Sequence, residues 1–292
     1  MRDTFVSAVA EKLRADSDVI LLTGDLGFGI FNEISECFPD RFINVGVAEQ
    51  NMVGVGSGMA MMGKKAFCYS IANFSFMRGL EQFRNGAVYH DANVTLVCSG
   101  GGFTYGQLGF THFAIEDYGI LSTFGSVEVL HPATSEQVER CVADCVGQPG
   151  PKYLRLEKAE LVVPALASFG ERRGLEQHRA GERLAIVAVG SLLDVAMQAA
   201  AAAPGEVAVY SLVRHRALAE AAVIGELGTY DLIVSLEEHV LPNGVGQKLA
   251  ARGLNVRPLA IHDTGPAVVG DQAYLRDHYG LTPKGVLRAL SG

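Results

Sequence analysis

The chain has 292 residues, 49% of them apolar, and carries 32 acidic against 24 basic side chains for a formal charge of −8. That length suits one large domain or two ordinary ones with a well-filled core. The acidic balance and the lack of any Lys/Arg run argue against nucleic acid as a partner, and no uninterrupted apolar stretch reaches the roughly 18 residues of a membrane span. Cys37, Cys68, Cys98, Cys141 and Cys145 are odd in number and irregular in spacing, unlike a disulfide framework. Cys141 and Cys145 stand one helical turn apart and are expected to pack rather than bind metal. With no basic-then-apolar leader at its start, the chain is expected to be a reduced, cytoplasmic protein.

Short β-rich apolar runs alternate with helical patterns along the first half. Strands are expected at Val19–Leu22, Phe42–Val45, Ala66–Tyr69, Val94–Cys98, Val127–Leu130 and Tyr153–Leu156. Helices are expected over Glu49–Met62, Met77–Tyr89 and Ser135–Val146, the last with Glu136 and Glu139 complementing the positive end of its dipole. Continuous apolar strands separated by helices indicate a parallel sheet covered on both faces. From Leu161 to Arg183 the pattern breaks on Pro164, Gly170, Gly174 and Gly181, and reads as a linker. Alternation then resumes at Leu184–Val189, a helix through Ala203, Val207–Tyr210, Leu232–Leu236 and Val256–Ala260. The expectation is α/β: a larger, mostly parallel domain over 1–160, a linker over 161–183, and a smaller α/β domain over 184–292.

The segment Val45-Gly46-Val47-Ala48-Glu49-Gln50-Asn51-Met52 puts a carboxylate where a strand gives way, through a glycine, to a helix. Gly54, Gly56 and Gly58 follow within that helix, each costing about 1 kcal/mol against Ala, so the helix needs close packing to form. Two readings of Glu49 are open from the residues alone. One is a solvated acid that answers the helix dipole; the other is a buried functional acid.

Gly46-Val47-Ala48-Glu49-Gln50-Asn51-Met52 resembles the signature of the pyrimidine-binding domain of the transketolase family. Four more stretches are similar to that family in the same order. They are Thr23-Gly24-Asp25-Leu26-Gly27, Asn73-Phe74-Ser75-Phe76, Thr111-His112 with Ile115-Glu116-Asp117, and Val234-Ser235-Leu236-Glu237-Glu238-His239 with Asn243-Gly244-Val245-Gly246. The resemblance covers nearly the whole chain and implies a thiamine-diphosphate-binding pyrimidine fold followed by the family's C-terminal domain. It implies that Glu49 hydrogen-bonds N1′ of the aminopyrimidine and so promotes loss of the thiazolium C2 proton. It places Asp25 beside the thiazolium, Phe74 on the pyrimidine ring with Phe76 or Met77 nearby, and His112 at a substrate oxygen or proton.

The family's diphosphate domain, with Gly-Asp-Gly and paired Asn residues for the metal, has no counterpart here. Gly24-Asp25-Leu26 lies in another context, and Gly270-Asp271 has no Asn downstream. The resemblance is therefore to the second half of a split transketolase, with the diphosphate and Mg²⁺ held by a partner subunit and an α₂β₂ assembly. Three features depart from the family. Leu108 stands where an acid usually meets the donor's hydroxyl, Ser99–Phe103 lacks a pocket His, and Lys158 replaces a phosphate-binding Arg. The implied activity is transfer of a two-carbon ketol unit between sugars or sugar phosphates. The alternatives are a beta-type subunit of a 2-oxoacid-decarboxylating or acyloin-forming enzyme, which Leu108 would suit, and a non-catalytic regulatory or structural subunit.

Overall fold

The computed structural model describes residues 1–27, 29–158, 161–203, 205–263, 265 and 267–291. Helix α1 (Arg2–Ala15) leads into β1 (Val19–Thr23), α2 (Asn32–Cys37), β2 (Phe42–Asn44), α3 (Glu49–Met61) and β3 (Lys65–Ile71). A helical stretch follows, with α4 (Leu80–Gln82) between π turns at Phe74–Arg78 and Phe83–Val88. Next come β4 (Val94–Ser99), 3₁₀ turns at Gly106–Leu108 and Phe110–His112, α5 (Asp117–Leu121), β5 (Glu128–Leu130), α6 (Ser135–Gly147) and β6 (Lys152–Leu156). The strands form one sheet in the order β2-β1-β3-β4-β6-β5, parallel at every pairing.

Both faces of this sheet are buried, which is why its strands read as unbroken apolar runs. Successive strand residues face opposite sides: Leu21, Phe67, Val97 and Leu154 pack with Phe5 and Leu13 of α1 and Val138 and Val142 of α6. Leu22, Cys68, Leu96 and Cys98 pack on the other face with Met52 and Val53 of α3 and Phe83. All five cysteines are free and four are buried in these layers, Cys141 and Cys145 on the inner face of α6. Helix α6 begins at Ser135 as expected, capped by Thr134, whose hydroxyl accepts the Gln137 N–H at 3.2 Å. Among the described residues no helix is long and apolar enough to cross a membrane.

Of the three glycines in α3, one is held in close packing. A Cβ on Gly56 would stand 2.6 Å from Cys68 Sγ, whereas Gly54 and Gly58 meet nothing within 4 Å. Gly56→Ala is expected to lower stability by about 1–3 kcal/mol through overpacking, despite Ala's better helix propensity. Urea denaturation checks this; an unchanged midpoint would mean that α3 and β3 part easily.

Residues 161–183 correct the linker expectation, because they hold two strands of the second sheet, β7 (Ala167–Phe169) and β8 (Leu175–Arg179). β9 (Leu184–Val189), α7 (Leu193–Ala201), β10 (Val207–Leu212), α8 (Ala221–Leu227), β11 (Leu232–Val240), α9 (Val245–Ala250), β12 (Val256–Ile261), α10 (Gln272–His278) and α11 (Pro283–Ser291) complete the domain. The order is β12-β11-β9-β10-β8-β7, parallel from β12 to β10, with β8 antiparallel to β10 and β7 to β8. β8 is hard to read because it buries Glu176. That carboxylate is matched by Arg140 at 2.6 Å and Gln137 at 2.7 Å, both from α6 of the first domain.

A buried polar lock joins the two sheets. Arg155 in β6 is 1% exposed and donates to Asp117 Oδ2 at 2.9 Å, to Glu157 Oε1 at 2.5 Å and to the Glu238 carbonyl at 3.2 Å. Burial works against its charge, but the two carboxylates outweigh burial and raise its pKa. Glu238 reaches back across the boundary to accept the Phe103 N–H at 2.7 Å and also takes Gln272 and Arg276. Gly102 makes that approach possible: its φ is +62°, and a Cβ there would lie 2.0 Å from Glu238 Oε2. Tyr118 donates to Glu237 at 2.7 Å and stacks on His239 at 3.9 Å, and the Gly119 N–H donates to His239 Nε2. The Glu237-Glu238-His239 run is thus interdomain structure.

Candidate active site

Glu49 is the first residue of α3 and is only 3% exposed, which excludes the solvated reading. A carboxylate buried at that position must be satisfied by hydrogen bonds or a counter-charge. Ser70, in β3, donates to Oε1 at 3.2 Å, and Arg78 donates from Nη1 to Oε2 at 2.9 Å. Gly24, just past β1, keeps space beside this pair: a Cβ there would lie 3.6 Å from both Glu49 Oε1 and Ser70 Oγ. Neither Ser70 nor Arg78 is singled out by the sequence. Arg78 does carry a signal in its spacing, four residues after Phe74 and so on the same side of a helical turn.

The Arg78 guanidinium carbon sits 3.9 Å from the centre of the half-buried Phe74 ring, a cation–π contact that ties the aromatic to the acid's own partner. Phe74 meets His112 edge-on, with ring centres 5.0 Å apart. The Thr111 hydroxyl lies 3.0 Å from His112 Nδ1, and Asn73 Nδ2 donates to the Thr111 carbonyl at 2.6 Å. These contacts bring the Thr111-His112 turn against the Asn73–Arg78 turn. Between them is a cleft of about 270 Å³ lined by Phe74, Met77, Arg78, Phe110, Thr111 and Glu116. Burial, then the negative charge of Asp117, holds the Glu116 carboxyl above its ordinary range. Asn73 Oδ1 is buried at the cleft with no hydrogen-bond partner among the described residues.

Other expected site residues fall in different places. Asp25 adopts a left-handed turn at φ +58° and exchanges hydrogen bonds with Asn44, its N–H at 3.1 Å and its carboxylate at 2.8 Å. That exchange joins the turn after β1 to the end of β2. Phe76 is corrected: it is 1% exposed and packs edge-on to Tyr153 in the core, unable to touch a bound ring. Met77 is 44% exposed and lines the cleft. Leu108 ends the first 3₁₀ turn, 53% exposed, and does not line the cleft. Lys158 is exposed just after β6.

These features agree with what the chain is similar to. Residues 1–163 match the family model described as transketolase, pyrimidine binding domain, and residues 174–286 match transketolase, C-terminal domain. An apulose-4-phosphate transketolase subunit from Actinobacillus succinogenes is 31% identical over 84% of this chain and 82% of its own length. A 6-deoxy-6-sulfo-D-fructose transketolase subunit, SqwH, from a Clostridium species is 29% identical over 99% of this chain and 92% of its own. A solved split-gene transketolase, described as an inactive beta4 tetramer, superposes with a TM-score of 0.84 at 26% identity, over 99% of this chain and 96% of that one. The chain therefore belongs to the transketolase family, as a relative of the subunits of its split members.

Proposed function

We propose that this chain is one half of a split, thiamine-diphosphate-dependent transferase that passes a two-carbon ketol unit from a ketose donor to an aldehyde acceptor. The observation that carries this reading is the buried Glu49 carboxylate, held by Ser70 and Arg78 with the Phe74 ring on the same guanidinium. The set suits an aminopyrimidine. Glu49 can share a proton with a ring nitrogen, Phe74 offers a flat face, Gly24 leaves room, and the unpaired Asn73 Oδ1 is a spare acceptor beside Phe74. Bound thiamine diphosphate supplies the carbon nucleophile and the electron sink. The chain's part is to hold that ring, keep a proton at Glu49, and present His112 to a substrate oxygen, with Asp25 shaping the turn beside it.

The diphosphate and Mg²⁺ are assigned to a separate partner subunit. Self-association in an α₂β₂ assembly is supported by the exposed Gly54 and Gly58 of α3, open enough for a second helix to approach, and by exposed Met61 and Met62 at its end. The names of the two relatives point to a ketose carrying a phosphate or sulfonate, and Lys158 is a cation suited to such a group.

Calorimetric titration of thiamine diphosphate with Mg²⁺ tests the proposal, using this chain alone and mixed with its partner subunit. Saturable binding is expected only in the mixture and is expected to weaken about tenfold or more in Phe74→Ala, through loss of stacking area. Failure of the mixture to bind would overturn the cofactor assignment, and binding by this chain alone would overturn the shared site.

A further inference from the structure

A second cleft, of about 400 Å³, lies between the two domains and has no part in the reaction proposed above. Its first-domain wall is the segment Ser122–Val129 leading into β5, at the N-terminal edge of the parallel sheet, whereas Glu49 follows β2 at the C-terminal edge. Its second-domain wall is the 3₁₀ turn His215–Ala219 and the end of α9 with the residues after it.

Charge in this cleft has one sign. Arg216, Lys248 and Arg252 line it, and among the described residues no carboxylate does. Arg216 is partly committed: Nη2 lies 3.5 and 3.4 Å from the Gly125 and Ser126 carbonyls, and Nε is 3.8 Å from Glu128. Lys248, in the last turn of α9, and Arg252, in the turn that follows it, both line the cleft, with no ion-pair partner among the described residues. Burial, then the charge of Arg252, holds Lys248 below its usual range. Cations at a helix C-terminus answer the helix dipole, but that does not account for the inner wall.

The inner wall is His215, 5% exposed, with Nδ1 3.4 Å from His131 Nε2. Its Nε2 is buried and has no hydrogen-bond partner among the described residues. Burial, then Lys248 and His239, pushes His215 down to about 3, so this nitrogen belongs to a neutral ring suited to a single polar contact. Apart from Ser122, the remaining side chains of the lining are apolar, with Phe124, Val127, Val129 and Leu218 among them.

We infer that this cleft binds a small phosphorylated molecule with a flat, largely apolar body, of the size and chemistry of a nucleoside monophosphate. The phosphate lies at Lys248 and Arg252, where two unpaired positive charges answer a dianion. The body lies on Phe124 and Leu218, and one of its heteroatoms completes His215.

Calorimetry on the full chain, with AMP and inorganic phosphate as probes, tests the inference. AMP is expected to bind saturably, with inorganic phosphate about tenfold weaker or worse. A Lys248→Met/Arg252→Met double variant is expected to lose AMP affinity by about tenfold or more, and so is Ala219→Trp, which fills the cleft without touching its charges. Glu49→Gln is expected to leave AMP binding unchanged, which separates this cleft from the proposed active site. No AMP binding by the parent chain, or full binding by both cleft variants, would overturn the site. Equal affinity for inorganic phosphate would overturn the flat body.

Discussion

Glu49→Gln is expected to lower turnover of the assembled enzyme by about 10²–10⁴-fold, the range for removing a positioned acid or base, with little change in melting temperature. Gln keeps the volume of Glu and an oxygen for the Ser70 hydroxyl now 3.2 Å from Oε1. It removes the negative charge, and with it the capacity to hold a proton against a ring nitrogen. The stability side is small because the partner charge is not trapped. The Arg78 side chain is 47% exposed, so on losing its carboxylate it turns to water and keeps its contact with Phe74. Steady-state rates of the reconstituted enzyme, with a thermal scan of the same preparations, check both halves. Parent-like turnover would remove Glu49 from the chemistry, and a collapse in melting temperature with activity would make its role structural.

Arg155→Met has the opposite signature. It is expected to destabilise the chain by about 3–5 kcal/mol, because it strands Asp117 and Glu157 in the interior without their common cation. That corresponds to a fall of roughly 6–20 °C in melting temperature. The loss should depend on pH with a definite sign. Burial holds the Glu157 carboxyl above its ordinary range even though Arg155 pulls it down. An acid whose folded pKa is raised binds protons more readily in the folded state than in the unfolded one. Its penalty is therefore greatest above the raised pKa and fades as pH falls towards the unfolded value. Without Arg155 that raised pKa climbs further, so the deficit of the variant should shrink between neutral pH and about pH 5. Chemical denaturation of parent and variant across that range measures it; a deficit that grows on acidification would mean the carboxylates are reached by water. A triple variant that also carries Asp117→Asn and Glu157→Gln should recover part of the loss, since no unpaired charge remains.

The lock around Arg155 has a consequence for the candidate active site. Asp117 follows directly on Glu116, which lines the cleft beside Phe74, and His112 lies on the same connection between β4 and α5. Fixing Asp117 to β6 and Tyr153 fixes that connection, and so the placement of His112 against Phe74. The second domain, through the Glu238 carbonyl on Arg155, takes part in holding the geometry of the first.

The parallel sheet is legible from the residues because it is buried on both faces, so each strand is a continuous apolar run and each boundary a change of pattern. Position by motif also puts Glu49 at the head of a helix after a glycine turn, where it stands. What local pattern cannot determine is the surroundings of side chains supplied by distant segments. Solvated and buried readings of Glu49 are identical in sequence, and they are separated only by Ser70 and Arg78, which lie 21 and 29 residues downstream. Phe74 and Phe76 are two residues apart in one π turn; one reaches the cleft and the other the core, because residues two apart in a helical turn point to nearly opposite sides and the stretch is already helical before Met77. β8 reads like a linker because it carries Glu176, His178 and Arg179, and its buried Glu176 is satisfied by Gln137 and Arg140 arriving from the other domain together with nearby Arg173. Burial of apolar surface is non-directional and leaves its period in the chain, whereas a buried charge is tolerated only where partners converge on it in three dimensions.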